Sequence, residues 1–121
     1  MRIFSTLVLS FILATAALAH EPRPGPNGGL MVDSGNMHTE LLVNGTDAVT
    51  VYLFDAKDTP VDSSGFKGNA ILIINGKPAR FVLEPTDGTT LKGQAPAPVA
   101  VGVKGALQIT LPDGSTIQAK Y

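Results

Sequence analysis

Two histidines, His20 and His38, are the residues of this chain best suited to chemistry. His20 directly follows the Ala-Leu-Ala of residues 17–19, a small-x-small pattern that is typical of a signal-peptidase cleavage site. Cleavage there would leave His20 as the first residue, with an α-amine and an imidazole Nδ1 that can bind one metal ion together. We therefore expect a metal site that combines His20 at the N-terminus with His38 from the folded domain.

Copper is the first metal that these ligands predict. The chain has no cysteine, so any further ligand must donate through nitrogen, oxygen or a thioether. Imidazole with an amine suits Cu(II), imidazole with a thioether suits Cu(I), and histidine with a carboxylate suits Zn(II). The candidate auxiliary ligands are Met31, Met37 and Glu40, together with Asp33. A second interpretation stays open, in which His38 is an ordinary solvent-facing strand residue and His20 is only the residue left by cleavage.

Residues 1–19 have the pattern of a secretory signal peptide. Arg2 supplies the charged start, and the nearly continuous apolar run Leu7–Leu18 precedes the cleavage site. That run is too short to serve as a transmembrane helix. The pattern predicts a periplasmic or secreted protein that is not embedded in the membrane after its signal peptide is removed.

The composition indicates one small domain and argues against several classes of function. The formal net charge is −1 and the lysines are scattered singly, so we expect no nucleic-acid binding. No Gly-x-Ser-x-Gly nucleophile motif occurs, and the two histidines both lie toward the N-terminus. Without cysteine, the domain must be stabilised by its hydrophobic core rather than by disulfides. We expect a protein that is not an enzyme.

Turn-forming residues divide the rest of the chain into short strands. The sequence has 13 glycines and 9 prolines. Four Asn-Gly or Asp-Gly pairs typical of β-hairpins are flanked by apolar or β-branched runs: Asn44-Gly45, Asn75-Gly76, Asp87-Gly88 and Asp113-Gly114. They predict that residues 29–121 form an all-β domain, an antiparallel immunoglobulin-like β-sandwich. Residues 20–28 contain three prolines and are expected to form an extended arm that does not pair with a sheet. The predicted strands are 29–33, 37–44, 48–55, 69–75, 79–84, 89–93, 99–104, 106–111 and 115–120.

Alternation in the first two predicted strands separates their residues onto two faces. If residues 33–36 close a hairpin in an even register, one face carries Met31, Asp33, His38 and Glu40. The core side then carries Leu30, Val32, Met37, Leu41 and Val43. A slip of one residue would destroy this grouping. Val101, in the predicted strand 99–104, is expected to be buried with the other apolar strand residues.

Five segments of the chain carry a resemblance to a known family: Asn27-Gly28-Gly29, residues 38–43, residues 51–55, Pro60-Val61 and residues 90–93. They resemble small uncharacterised periplasmic proteins found with heavy-metal efflux systems of the copper type. They are also similar to a β-rich segment attached to some periplasmic adaptor subunits of those pumps. In that pattern the glycine pair is commonly preceded by histidine, whereas this chain has Asn27, which removes one candidate ligand. The resemblance implies a periplasmic location, a β-sandwich and a role in metal handling.

The expected function is that of an exported, non-catalytic metal-binding or metal-efflux accessory protein, with a copper ion as the expected ligand. The alternative is a metal-free interaction module, whose sheet edge or proline-rich arm docks on a periplasmic partner such as an efflux adaptor protein. A copper oxygenase that holds its metal through the N-terminal histidine is a remote third interpretation, because the chain is small and offers no aromatic-rich substrate surface.

Overall fold

The structure, a computed structural model, describes residues 21–121 and is built from antiparallel β-strands. No described residue lies in a helix, which confirms the all-β prediction, and this part of the chain accordingly holds no helix able to span a bilayer. The strands are β1 (Arg23–Pro24), β2 (Leu30–Ser34), β3 (Met37–Leu42), β4 (Ala48–Asp55), β5 (Lys67–Ile74), β6 (Lys77–Thr86), β7 (Thr90–Gln94), β8 (Gly105–Thr110) and β9 (Thr116–Lys120).

The strands form one curled sheet in the order β1-β2-β3-β4-β7-β6-β5-β8-β9. Strand β6 joins the two halves of this sheet, because residues 77–83 pair with β5 and residues 84–86 pair with β7. The curl brings β2 close to β9, although the two lie near opposite ends of the sheet order. The result is a half-barrel, and the expected immunoglobulin-like sandwich of two sheets is not confirmed.

The tight turn between β5 and β6 has the chemistry that its sequence predicts. Asn75 and Gly76 are the only residues between Ile74 and Lys77, which pair with each other. Both turn residues have positive φ, 52° and 75°, as a two-residue type I′ hairpin requires. The hairpin prediction is therefore confirmed at this Asn-Gly pair.

One hydrophobic core fills the inside of the curl. Leu53, Leu72 and Leu107 are completely buried there, and side chains from both halves of the sheet contribute to the same cluster. The prediction for Val101 is wrong, because this side chain is 80% exposed. Residues 99–104 form a loop rather than a strand, since Gly102 takes a φ of 85° and turns the chain.

Part of the N-terminal arm pairs with the sheet, which corrects the prediction that the arm stays outside it. Strand β1 is antiparallel to β2, with Arg23 opposite Met31 and Pro24 opposite Leu30. Proline is tolerated here because β1 is the terminal strand of the sheet, where a missing N–H costs no ladder hydrogen bond. The arm is thereby fixed along β2.

Gly93→Ala is expected to lower the free energy of unfolding by about 1–3 kcal/mol, the usual cost of overpacking. A Cβ at Gly93 would lie 2.4 Å from the carbonyl oxygen of Val82, so the backbone of β6 or β7 must move. Urea unfolding measures the change. The control, Gln108→Ala at an exposed position of β8, should stay within about 0.5 kcal/mol of the parent. Equal stability of the two variants would contradict this close packing of β6 on β7.

Candidate functional site

The hairpin of β2 and β3 carries all the predicted site residues other than His20. Asp33 lies opposite His38, and Met31 lies opposite Glu40, so the predicted face and its even register are confirmed. The tight turn begins at Gly35, whose φ of 60° is a conformation that glycine adopts without strain. The turn therefore determines which side chains share a face with His38.

His38 lies between two carboxylates. Its Nδ1 is 2.5 Å from Asp58 Oδ1, and its Nε2 is 3.3 Å from Asp33 Oδ1. Arg23 from β1 donates from Nη1 to the same Asp33 oxygen at 3.1 Å. Charged partners thus contact both ring nitrogens of His38. The side chain keeps 18% of its surface exposed, so these contacts lie close to solvent.

Asp58 is the partner of His38 that sequence reasoning did not assign to the site. It is 20 residues away along the chain and has a φ of 61° in the loop after β4. Asp55 begins this loop by accepting hydrogen bonds from the backbone N–H groups of Thr59 and Lys57, which lower the pKa of its carboxyl. The turn at Asp55 thus directs Asp58 back over β3.

An open depression on the surface lies beside this imidazole. It brings two residues from the start of the described chain together with the hairpin and with the loop after β4. Arg23 and Asp33 line it as an ion pair, so its wall is charged. The lining residues are Glu21, Arg23, Asp33, His38 and Ala56.

Glu40 lies on the same face of the hairpin but has different partners. It is completely buried, and its oxygens accept hydrogen bonds from the backbone N–H of Asn27 at 2.9 Å, the Asn27 side-chain amide at 2.9 Å and the backbone N–H of Gly29 at 2.8 Å. Hydrogen bonds from N–H groups to a carboxylate are among the stronger ones in proteins. These hydrogen bonds therefore join Glu40 strongly to the N-terminal arm.

Tyr121 brings the last residue of the chain to this hairpin. Its hydroxyl donates to the backbone carbonyl of Thr39 at 2.7 Å. Burial, and next the negative charge of Glu40, raise the pKa of the Tyr121 phenol far above its usual range. The phenol thus stays protonated and able to donate at any physiological pH.

The two methionines predicted as auxiliary ligands lie on opposite faces of the hairpin. Met31 shares the face of His38 and is 3% exposed, whereas Met37 points into the core and is 8% exposed. Met37 is therefore not brought together with His38. His20 lies outside the described residues. Within residues 21–121, no group of three or more His, Asp or Glu side chains is arranged to hold a metal ion.

Comparisons of this chain with protein-family models, with curated proteins and with solved structures found no match. The chemistry around His38 and the arm that passes beside it are therefore the features of this chain that bear on its function.

Proposed function

We propose that this chain is an exported, non-catalytic metal-binding protein of the periplasm that assists metal efflux, with copper as the preferred ion. One observation carries the proposal: Glu21 and His38 line the same surface depression. Glu21 is covalently joined to His20, the residue that the predicted cleavage would make the first of the mature chain. An N-terminal amine and imidazole therefore have a route to a metal ion shared with His38.

The spacing of the donor atoms supports this proposal. Metal–nitrogen and metal–oxygen bonds of about 2.0–2.1 Å place neighbouring donors about 2.9 Å apart at a right angle and about 3.4 Å apart at a tetrahedral angle. The 3.3 Å between His38 Nε2 and Asp33 Oδ1 falls between these values. One ion could thus contact both atoms after only small movements of the two side chains.

Asp58 has the position of an orienting partner. A ligating histidine commonly donates its second ring N–H to a carboxylate, which fixes the tautomer and strengthens the ligand. A proton on Nδ1 shared with Asp58 leaves the Nε2 lone pair directed at the ion. We assign Nε2 of His38 and the Asp33 carboxylate as ligands on the hairpin, with the amine and imidazole of His20 as the N-terminal pair.

A metal-free interaction module that docks on an efflux-system partner is the second candidate function. It is favoured by two large apolar side chains that are exposed and line the same surface depression: Ile73, at 45% exposure, and Val101, at 80%. Such side chains commonly mark protein contact surfaces when they cluster. This candidate requires no role for His38.

His38→Ala is expected to weaken copper binding at least about tenfold, since even orienting partners of ligands cost 10–100-fold when removed. The protein for this test is secreted material whose accurate mass shows His20 as its first residue. Competition titration with Cu(II) and Cu(I) gives the affinities, and thermal unfolding checks that the variant is folded. Gln108→Ala on β8, remote in the sheet order, is the control and should bind as the parent does. Equal affinity of His38→Ala and the parent would contradict the proposed site.

A further inference from the structure

We propose that Glu40 is a positioning residue, which anchors the N-terminal arm on the β2–β3 hairpin and so holds Glu21, the first described residue, beside His38. This inference rests on the proposed function, because Glu21 directly follows the predicted N-terminal ligand residue in the sequence. It gives Glu40 a role different from direct metal binding.

The carboxylate of Glu40 is fully engaged by the arm. Both oxygens accept from Asn27 or Gly29, and no surface of the residue is exposed. A charge buried in this way requires hydrogen-bond partners, because water no longer solvates it. Direct metal binding through Glu40 would have to break contacts that already satisfy its charge.

Two glycines allow the arm to close tightly over this carboxylate. A Cβ at Gly25 would lie 2.2 Å from Glu40 Cδ, and a Cβ at Gly29 would lie 2.5 Å from the Leu41 carbonyl oxygen. The Gly25 N–H donates to the Gly29 carbonyl at 2.9 Å, which folds residues 25–29 into a turn around the carboxylate. Glycine is thus required at both positions, because Glu40 and Leu41 lie too close to leave space for a side chain.

The arm leads from this turn directly to the candidate site. Immediately before Gly25, β1 pairs with β2, and Arg23 contacts Asp33. Glu21, two residues earlier, lines the depression beside His38. Anchoring at Glu40 therefore fixes the path of residues 21–24 relative to the proposed ligands, although Glu40 itself does not line that depression.

Glu40→Gln tests this inference, because the amide keeps the shape of the side chain but places an NH2 group against N–H donors. In the metal-free protein, hydrogen exchange at the amides of Asn27 and Gly29 should accelerate at least about tenfold, the loss expected when a hydrogen bond to a charged group is removed. Copper affinity should fall by a similar factor. Glu84→Gln, which removes the same charge from an exposed position of β6, should change neither measurement.

Asn27→Ala separates positioning from direct ligation. It removes one donor to Glu40 but leaves the carboxylate in place, and because Asn27 is exposed, the variant keeps the fold even if Glu40→Gln does not. Faster exchange at Gly29 together with weaker copper binding is the expected result.

Unchanged copper affinity in Asn27→Ala, with a loss in Glu40→Gln, would assign Glu40 as a ligand and overturn the inference. Unchanged exchange in both variants would overturn the anchor itself. If the parent binds no copper, the proposed function fails, whereas the exchange measurement still decides whether Glu40 anchors the arm.

Discussion

Replacing Leu53 by alanine should lower the free energy of unfolding by about 2–5 kcal/mol, the range measured for large-to-small changes in cores. Leu53 is completely buried in β4, which pairs with β3 on one side and with β7 on the other. The backbone hydrogen bonds of β4 with these two strands hold the surrounding residues in place. These residues cannot easily move into the space that the Leu53 side chain leaves. Urea unfolding followed by circular dichroism measures the effect.

Ile73→Ala provides the matched control for Leu53→Ala. Ile73 is also a large apolar strand residue, but it is 45% exposed on β5. Its truncation removes less buried surface and should cost clearly less than Leu53→Ala. Equal losses at the two positions would mean that Leu53 does not lie at the centre of the core.

Adding one alanine ahead of His20 should weaken Cu(II) binding at least about tenfold, even though both imidazoles are retained. The added residue moves the α-amine away from the His20 imidazole, so the two can no longer form the same chelate. An interaction free energy of about 1.4 kcal/mol corresponds to this tenfold loss, and a metal–amine bond should exceed it. Competition titration at constant pH compares the extended and the parent protein.

The pH dependence of the same titration supplies an internal control. The ordinary pKa values of an α-amine and an imidazole are about 7.7–8.0 and 6.5, and both groups must lose a proton before they bind metal. The copper affinity of the parent should therefore fall as the pH is lowered through this range. In the extended protein, the part of this pH dependence that comes from the amine should be missing. Identical affinities and pH profiles for the two proteins would show that the amine is not a ligand.

The strand pattern could be predicted because its signals are local. Residues 48–55 form β4 with the predicted bounds, since β-branched and aromatic residues fill this segment between clear turn signals. The face shared by His38 and Glu40 could also be predicted, because it follows from a short hairpin. The valines of residues 99–104 predict a strand. The structure has a loop there, because Gly102 takes a positive φ and turns the chain.

The partners of the site residues could not be predicted, because they come from distant parts of the chain. Nothing near His38 in sequence indicates that Asp58 will reach its Nδ1. The contact of Glu40 with Asn27 depends on the path of the arm. The glycines of the arm do not indicate this path in the sequence, because glycine has many possible roles. The pairing of β6 with two different strands is likewise a property of the whole sheet.

The docked arm also affects how this protein can associate with other chains. β1 occupies the backbone edge of β2 that would otherwise accept a foreign strand, and exposed edges of this kind are common sites of aggregation. β1 is only two residues long and ends in Pro24, which has no N–H to offer a further strand. An incoming peptide that adds to this edge must first displace the arm, so strand addition and the paired state of β1 are mutually exclusive.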